Sequence, residues 1–247
     1  MSFVIWNPWH GCRRKSEGCL HCYMYRRDES VGKDPEKVEK TASFGEPLRK
    51  KRDGSFALPS GSRVYACMTS DFFLAEADAW REEAWRMIRQ RPDLRFTVIT
   101  KRIERFEAAL PEDWGGGYEN VTICVTAENQ RRADERLPLL LEWPIRHREI
   151  IHEPMLEAIE IAPFLKKGAV ERVVCGGESG PGARLCDFEW ILNTREQCLR
   201  AGVDFTFKQT GARFRKEDRI YAVPRPQQIP QARKAGLDLD FQFDRKG

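Results

Sequence analysis

Three cysteines crowd into eleven residues near the start of the chain, in Gly11-Cys12-Arg13-Arg14-Lys15-Ser16-Glu17-Gly18-Cys19-Leu20-His21-Cys22-Tyr23, a C-x6-C-x2-C spacing. Three thiolates in one loop can converge on a single metal centre, because a C-x2-C turn already presents two sulfurs to one ion. Structural zinc takes four ligands, and His10 or His21 could supply the fourth. A [4Fe–4S] cluster held by three cysteines leaves one iron open to a substrate or cofactor. Zinc modules usually carry a second ligand pair, which this sequence lacks, and redox use of Cys19 and Cys22 leaves Cys12 without a role. A cluster with an open iron is the reading the spacing favours; zinc and redox-active thiols are the alternatives.

Further candidate groups fall at the ends of β-rich runs. They are Thr69-Ser70-Asp71, Thr100-Lys101-Arg102, Thr126-Ala127-Glu128-Asn129, His152-Glu153, Gly176-Gly177-Glu178-Ser179 and Lys208-Gln209. The runs themselves are Phe3–Trp6, Arg63–Thr69, Arg95–Thr100, Asn120–Thr126, Arg148–His152, Glu171–Gly176 and Val203–Lys208. Between them, residues at helical spacing predict helices over 77–91, 103–110, 130–141, 158–167 and 188–201. Strands alternating with helices predict parallel βαβ units, and this many in one chain predicts a partial (β/α) TIM-like barrel with about six to seven parallel strands. In such barrels functional groups sit at the C-terminal ends of the strands. A doubly wound sheet is the alternative, but no G-x-G-x-x-G follows the first strand. The expected organisation is a barrel over 1–211, with a basic insertion over about 28–62, and a basic C-terminal extension over 212–247.

These motifs together resemble the radical S-adenosylmethionine (SAM) superfamily, and within it the phage Gp37/Gp68 family. The resemblance rests on the cysteine loop and on Trp6-Asn7-Pro8-Trp9-His10-Gly11-Cys12, Thr69-Ser70-Asp71-Phe72-Phe73, Thr100-Lys101-Arg102, Val125-Thr126-Ala127-Glu128-Asn129-Gln130, Gly176-Gly177-Glu178-Ser179-Gly180-Pro181 and Phe207-Lys208-Gln209. It implies that Cys12, Cys19 and Cys22 hold a [4Fe–4S] cluster whose fourth iron is chelated by SAM. It implies further that His21 lies near the adenine, that Ser70 and Asp71 accept from the SAM amino group, and that Glu128 meets the ribose. The literal Gly176-Gly177-Glu178 comes several strands too late for the superfamily's amino-group motif; it stands with Lys101 among the strand-end residues expected to contact the cofactor. The implied activity is reductive cleavage of SAM to a 5′-deoxyadenosyl radical, with an electron donor such as flavodoxin or ferredoxin as partner. The implied substrate is a hypermodified thymine in phage DNA, modified or isomerised. A peptide or small-metabolite substrate, and a non-catalytic zinc-containing nucleic-acid-binding protein, are the alternatives.

Composition is compatible with such a partner. The 247 residues carry 42 Lys+Arg against 38 Asp+Glu, a net charge of +4, which permits a polyanion without requiring one. The cations are unevenly placed: Arg49-Lys50-Lys51-Arg52 is one run, and from Lys208 to Lys234 eight cations face only two acids, Glu217 and Asp218. Phe56, Phe214 and Tyr221 lie among these charges and could stack on bases. No run approaches the roughly 18–20 apolar residues of a membrane helix, and the first residues do not read as an export signal, so a cytoplasmic location is expected. Cys67, Cys124 and Cys175 on strands read as small hydrophobes, and Trp80 and Trp85 as helix packing. Lys101 and Lys208 could contact a carboxylate or phosphate, or form structural ion pairs. Gly115-Gly116-Gly117 lacks the Lys-Ser/Thr of a P-loop and reads as a connection.

Overall fold

The structure, a computed structural model, describes residues 3–166 and 168–241. Its elements in chain order are β1 (Phe3–Trp6), β2 (Trp9–His10), α1 (Tyr23–Ser30), β3 (Glu39–Lys40), β4 (Arg63–Ala66), α2 (Asp78–Arg89), β5 (Arg95–Thr100), β6 (Val121–Thr126) and α3 (Gln130–Glu142). The chain continues with β7 (His147–His152), β8 (Arg172–Gly176), β9 (Leu185–Asp187), α4 (Phe188–Ala201), β10 (Asp204–Gln209), β11 (Arg213–Lys216), β12 (Arg219–Ala222) and α5 (Arg225–Lys234). Seven strands make one sheet in the order β1-β4-β5-β6-β7-β8-β10. The seven expected strands are therefore present, and the registers of β1 on β4, β4 on β5, β7 on β8 and β8 on β10 are parallel.

The sheet stays open, so the seven parallel strands expected of a partial barrel are present and a closed TIM barrel is not formed. Its edge strands are β1 and β10, and the free edge of β10 is taken by the chain's own tail. Phe205 and Leu239 exchange backbone hydrogen bonds at 3.0 and 2.9 Å, and the Asp238 carboxylate accepts from the Phe207 N–H at 2.8 Å. An edge whose donors and acceptors are already occupied cannot pair with another strand.

The chain divides into two compact units. The first comprises Met1–Lys15, Met24–Cys124 and Glu142–His147. Its core is a run of aromatic rings: Trp9 on Phe72 (centroids 5.2 Å apart), Phe72 on Trp85 (4.8 Å), Trp85 on Trp114 (5.2 Å) and Phe73 on Phe106 (5.5 Å). Edge-to-face and tilted pairs of this kind add to the burial of large apolar areas. α2 forms because Ala77, Ala84, Trp85 and Ile88 recur on one face, all of them buried; Trp80 is half-buried. The basic insertion is pinned by buried Arg91, whose guanidinium donates to the carbonyls of Pro47 (2.5 Å) and Leu58 (2.9 Å) and to Asp93. The helix expected over 103–110 is instead two 3-10 turns, Ile103–Arg105 and Glu107–Ala109. Pro111 explains this, since it forces Leu110 into an extended conformation.

The second unit comprises Ser16–Tyr23, Val125–Leu141 and Arg148–Gly247. α4 begins at Asp187, whose side chain accepts from the Glu189 N–H, and ends at Gly202 in the left-handed region (φ 66°). The helix expected over 158–167 shrinks to the turn Ala162–Phe164. The N–H groups of Ile161 and Ala162 are instead satisfied by the Gln197 side-chain oxygen at 2.6 and 2.8 Å; Lys167 lies outside the described residues. The basic C-terminal extension from Ala212 onward is ordered as β11, β12 and α5, with β12, β11 and β9 forming a second sheet; residues 242–247 lie outside the described residues. Among the described residues, no helix is long and apolar enough to cross a membrane.

Candidate nucleic-acid interface

The strand-end residues singled out by the sequence are committed to holding loops. In the first unit, Ser70 donates to the Gly11 carbonyl at 2.5 Å. The Asp71 carboxylate is buried and accepts from the Thr100 hydroxyl (2.7 Å), the Lys101 N–H (2.8 Å), the Phe73 N–H (3.0 Å) and the Arg102 guanidinium (3.2 Å). Four donors fill the capacity of a carboxylate, so Asp71 ties the end of β4 to the end of β5. Lys101 enters this knot through its backbone. Arg102 also donates to the Arg13 carbonyl, and its Nη1 lies 4.0 Å from the Cys12 sulfur.

In the second unit, Glu128 is fully buried and accepts from the Ser16 hydroxyl, the Gly18 N–H (3.2 Å) and the Arg136 guanidinium (2.9 Å). A Cβ on Gly18 would lie 2.9 Å from that carboxylate, so only glycine permits the approach. Beside it, burial holds the His152 imidazole down to about 4, against the opposing pull of the Ala127 carbonyl and the Glu128 charge. Nδ1 of His152 is 2.6 Å from the Ala127 carbonyl, and Nε2 has no hydrogen-bond partner among the described residues. Burial pushes the Glu178 carboxyl up, but the Arg184 hydrogen bonds outweigh it and lower its pKa. Arg184 donates to Glu178 through Nε (2.9 Å) and Nη2 (2.5 Å), and its Nη1 reaches the Glu17 carbonyl (2.9 Å). Gly176 accepts from the Met155 N–H at 2.9 Å, and a Cβ on Gly177 would lie 2.2 Å from the Thr210 carbonyl. Close backbone packing explains Gly177, and the approach of the Glu153 and Gln209 side chains explains Gly176. His21 lies against Gly182, where an added Cβ would be 3.5 Å from its ring.

The expected cluster and its chemistry are corrected. Among the described residues, no group of three or more His, Cys, Asp or Glu side chains is placed to hold a metal ion. Cys12 belongs to the first unit, while Cys19 and Cys22 belong to the second, where Cys19 closes a 3-10 turn and the Cys22 N–H donates to its carbonyl at 3.3 Å. Among the described residues the C-x6-C-x2-C spacing assembles no group placed to hold a metal ion. With it fall the [4Fe–4S] cluster, SAM as its ligand, the radical enzyme acting on phage DNA, a peptide or a metabolite, and the zinc-containing module. Cys67, Cys124, Cys175, Cys186 and Cys198 are buried; burial pushes the Cys186 and Cys198 thiols up to about 12 and those of Cys67 and Cys175 well above the usual range. They behave as small hydrophobes.

The basic segments fare differently. In the first unit, Arg49 forms two hydrogen bonds of 2.7 Å with Glu46. Phe56 carries the Arg91 guanidinium 4.1 Å from its centroid and the Lys50 ammonium at 5.6 Å. In the second unit, three of the eight cations are engaged: Lys208 with Glu153 (2.6 Å), Arg215 with Asp187, and Arg225 with Gln209 and Gln228. Arg213, Lys216, Arg219, Arg233 and Lys234 enter no ion pair among the described residues.

Arg233 and Lys234 lie on α5, and the other three are placed by β11 and β12. They pair antiparallel, with Phe214 opposite Tyr221 and Lys216 opposite Arg219. Side chains two apart on a strand share a face, so these four project from the same side of the ribbon. That side borders a groove of about 590 Å³ whose lining includes Phe188, Phe207, Phe214, Tyr221, Lys216 and Lys234 and, among the described residues, no carboxylate. Phe214 is only 7% exposed, packed against Phe188 (5.9 Å) and Phe207 (6.0 Å). Tyr221 is 44% exposed. Of these two rings, both stacking candidates in the sequence, Tyr221 is exposed and Phe214 is buried as the floor of the groove. Phe188, Phe207 and the helix face Gln227-Gln231-Lys234 were missed. The i, i+4, i+7 spacing on α5 was the available signal, masked by Pro224, Pro226 and Pro230.

The sequence model of the DUF5131 family, described as a protein of unknown function, matches residues 3–242. No curated protein and no solved structure matches the chain. This match, together with the missing ligand group, replaces the resemblance to the radical SAM superfamily and its Gp37/Gp68 branch. The chain belongs to the DUF5131 family.

Proposed function

We propose that this protein binds single-stranded nucleic acid through the β11–β12 hairpin and α5 of its second unit. The observation that carries the reading is the direct opposition of Lys216 and Arg219 beside Phe214 and Tyr221, at a groove without a carboxylate among the described residues. Like charges directly opposite each other destabilise a strand pair, and a phosphate between them removes that repulsion. An exposed tyrosine next to the paired cations suits a base on the same strand, because stacking needs only a π-face. Arg213, Arg233 and Lys234 extend the positive charge along the same segment, and uncompensated cations of this kind displace the counterions of a phosphate backbone.

The test is binding of a fluorescent single strand as a function of salt. Each phosphate neutralised on a single strand contributes about −0.7 to the log–log slope. Lys216→Ser with Arg219→Ser should therefore flatten the slope by about 1.4 and weaken all sequences alike. An unchanged slope in that variant removes the hairpin from the interface.

A further inference from the structure

We infer that the groove between the hairpin and α5 is a pocket for one unstacked base, read by the carboxamides of Gln227 and Gln231; the inference rests on the nucleic-acid reading above. Gln227 and Gln231 are four residues apart on α5 and Lys234 is three further on, so the three share one helix face, and all three line the groove. Neither side-chain amide has a hydrogen-bond partner among the described residues. Gln228, on another face of the same helix, is buried and spends its amide on the Val223 carbonyl (3.0 Å) and the Arg225 guanidinium (3.2 Å). α5 thus divides its glutamines between one that holds the fold and two that face open space.

The chemistry of the lining selects the ligand. Phe207 and Phe214, stacked at 28°, with Phe188 edge-on at 67° to Phe214, give an apolar aromatic floor, which suits a planar ring. Each free carboxamide offers a donor and an acceptor in one plane, the arrangement that pairs with the edge of a nucleobase. Lys216 and Lys234 add positive charge to the lining, where the sugar-phosphate would lie, and no carboxylate opposes them. Aromatic floor, paired amides and flanking cations together match a nucleotide unit of a strand, with its base inserted and its phosphate at the rim.

The experiment uses the full chain and fluorescent strands of about twelve nucleotides, within the span of single-strand sites: oligo-dT, oligo-dA, oligo-dC and an abasic strand of equal length and charge. The abasic strand should bind about tenfold or more weakly than the best homopolymer, since stacking on a protein ring is lost. Gln227→Ala with Gln231→Ala should narrow the spread among homopolymers and leave the salt slope unchanged. A circular dichroism spectrum identical to wild type confirms that α5 persists in that variant. Mononucleotides in excess should compete with the homopolymer but not with the abasic strand. Equal, salt-dependent binding of abasic and base-bearing strands overturns the pocket while leaving the backbone interface standing. No binding of any strand at low salt overturns both.

Discussion

Lys216 and Arg219 stand directly opposite each other where β11 turns into β12, separated along the chain only by Glu217 and Asp218. Among the described residues neither has an acidic partner of its own, and Lys216 leans over the Phe188 ring at 5.4 Å. In the free protein this juxtaposition opposes the hairpin. Arg219→Thr should accordingly leave stability unchanged or raise it by about 0.2–1 kcal/mol, while lowering affinity for a single strand. Urea denaturation of the free protein, set beside anisotropy titrations, checks both signs. A variant that loses stability contradicts the repulsion.

Tyr221 and Arg219 should separate cleanly by mechanism. Tyr221→Ala removes a half-exposed ring and no charge, so affinity should fall by about 1–3 kcal/mol per stacked base with the salt slope preserved. Titrations at several salt concentrations read slope and intercept independently. A flattened slope in Tyr221→Ala would mean that the ring organises the cations and does not stack.

The seven-stranded sheet was legible because its strands are apolar runs bounded by polar ends. Arg95–Thr100 alternates little and is buried almost throughout, as an interior parallel strand should be. The cysteine loop misled for a different reason: spacing along the chain says how many thiols are near in sequence, not whether their sulfurs converge. Glu128 shows the same limit. It was correctly placed at a strand end, but its partners Ser16 and Gly18 lie more than a hundred residues away, and nothing local showed that the carboxylate was already satisfied. The C-terminal hairpin was hidden because every residue of β12 is exposed, so no burial alternation marks it in sequence.

Glu128 is predicted to carry stability. Glu128→Gln leaves the Arg136 guanidinium buried without its counter-charge and weakens the hold on the 16–18 loop. Breaking one side of a buried pair costs about 3–5 kcal/mol, which urea denaturation can measure. Gly18→Ala should also destabilise, through the close approach to the same carboxylate. A Glu128→Gln protein as stable as wild type contradicts the assignment of this residue to the fold.

His152 gives a pH dependence with a defined sign. Its folded-state pKa of about 4 lies below the unfolded value near 6.5. Above about pH 6.5 the imidazole is neutral in both states and its contribution is complete. As pH falls from about 6.5 to 4, the unfolded state takes up the proton first and about 3 kcal/mol of stability is lost. His152→Asn should lack this component, so the difference between the two proteins' stabilities should change across that window and be flat above it. A difference independent of pH contradicts a neutral buried imidazole.

The thiols offer a check on the corrected loop. Cys12, Cys19 and Cys22 are partly exposed, and the other five are buried. A thiol reagent should modify these three in the native protein and all eight after unfolding, as counted by mass. Rapid native labelling of Cys186 or Cys198 would contradict the packing of the second unit.

The central claim is tested most directly by the affinity of the full chain for a fluorescent single strand of about twelve nucleotides, measured by anisotropy over a range of salt concentrations. The account predicts binding that weakens linearly in log–log form, with a slope of about −2 to −3.5 if three to five of the free cations meet phosphates. Absence of binding at low salt, or binding indifferent to salt, would contradict it.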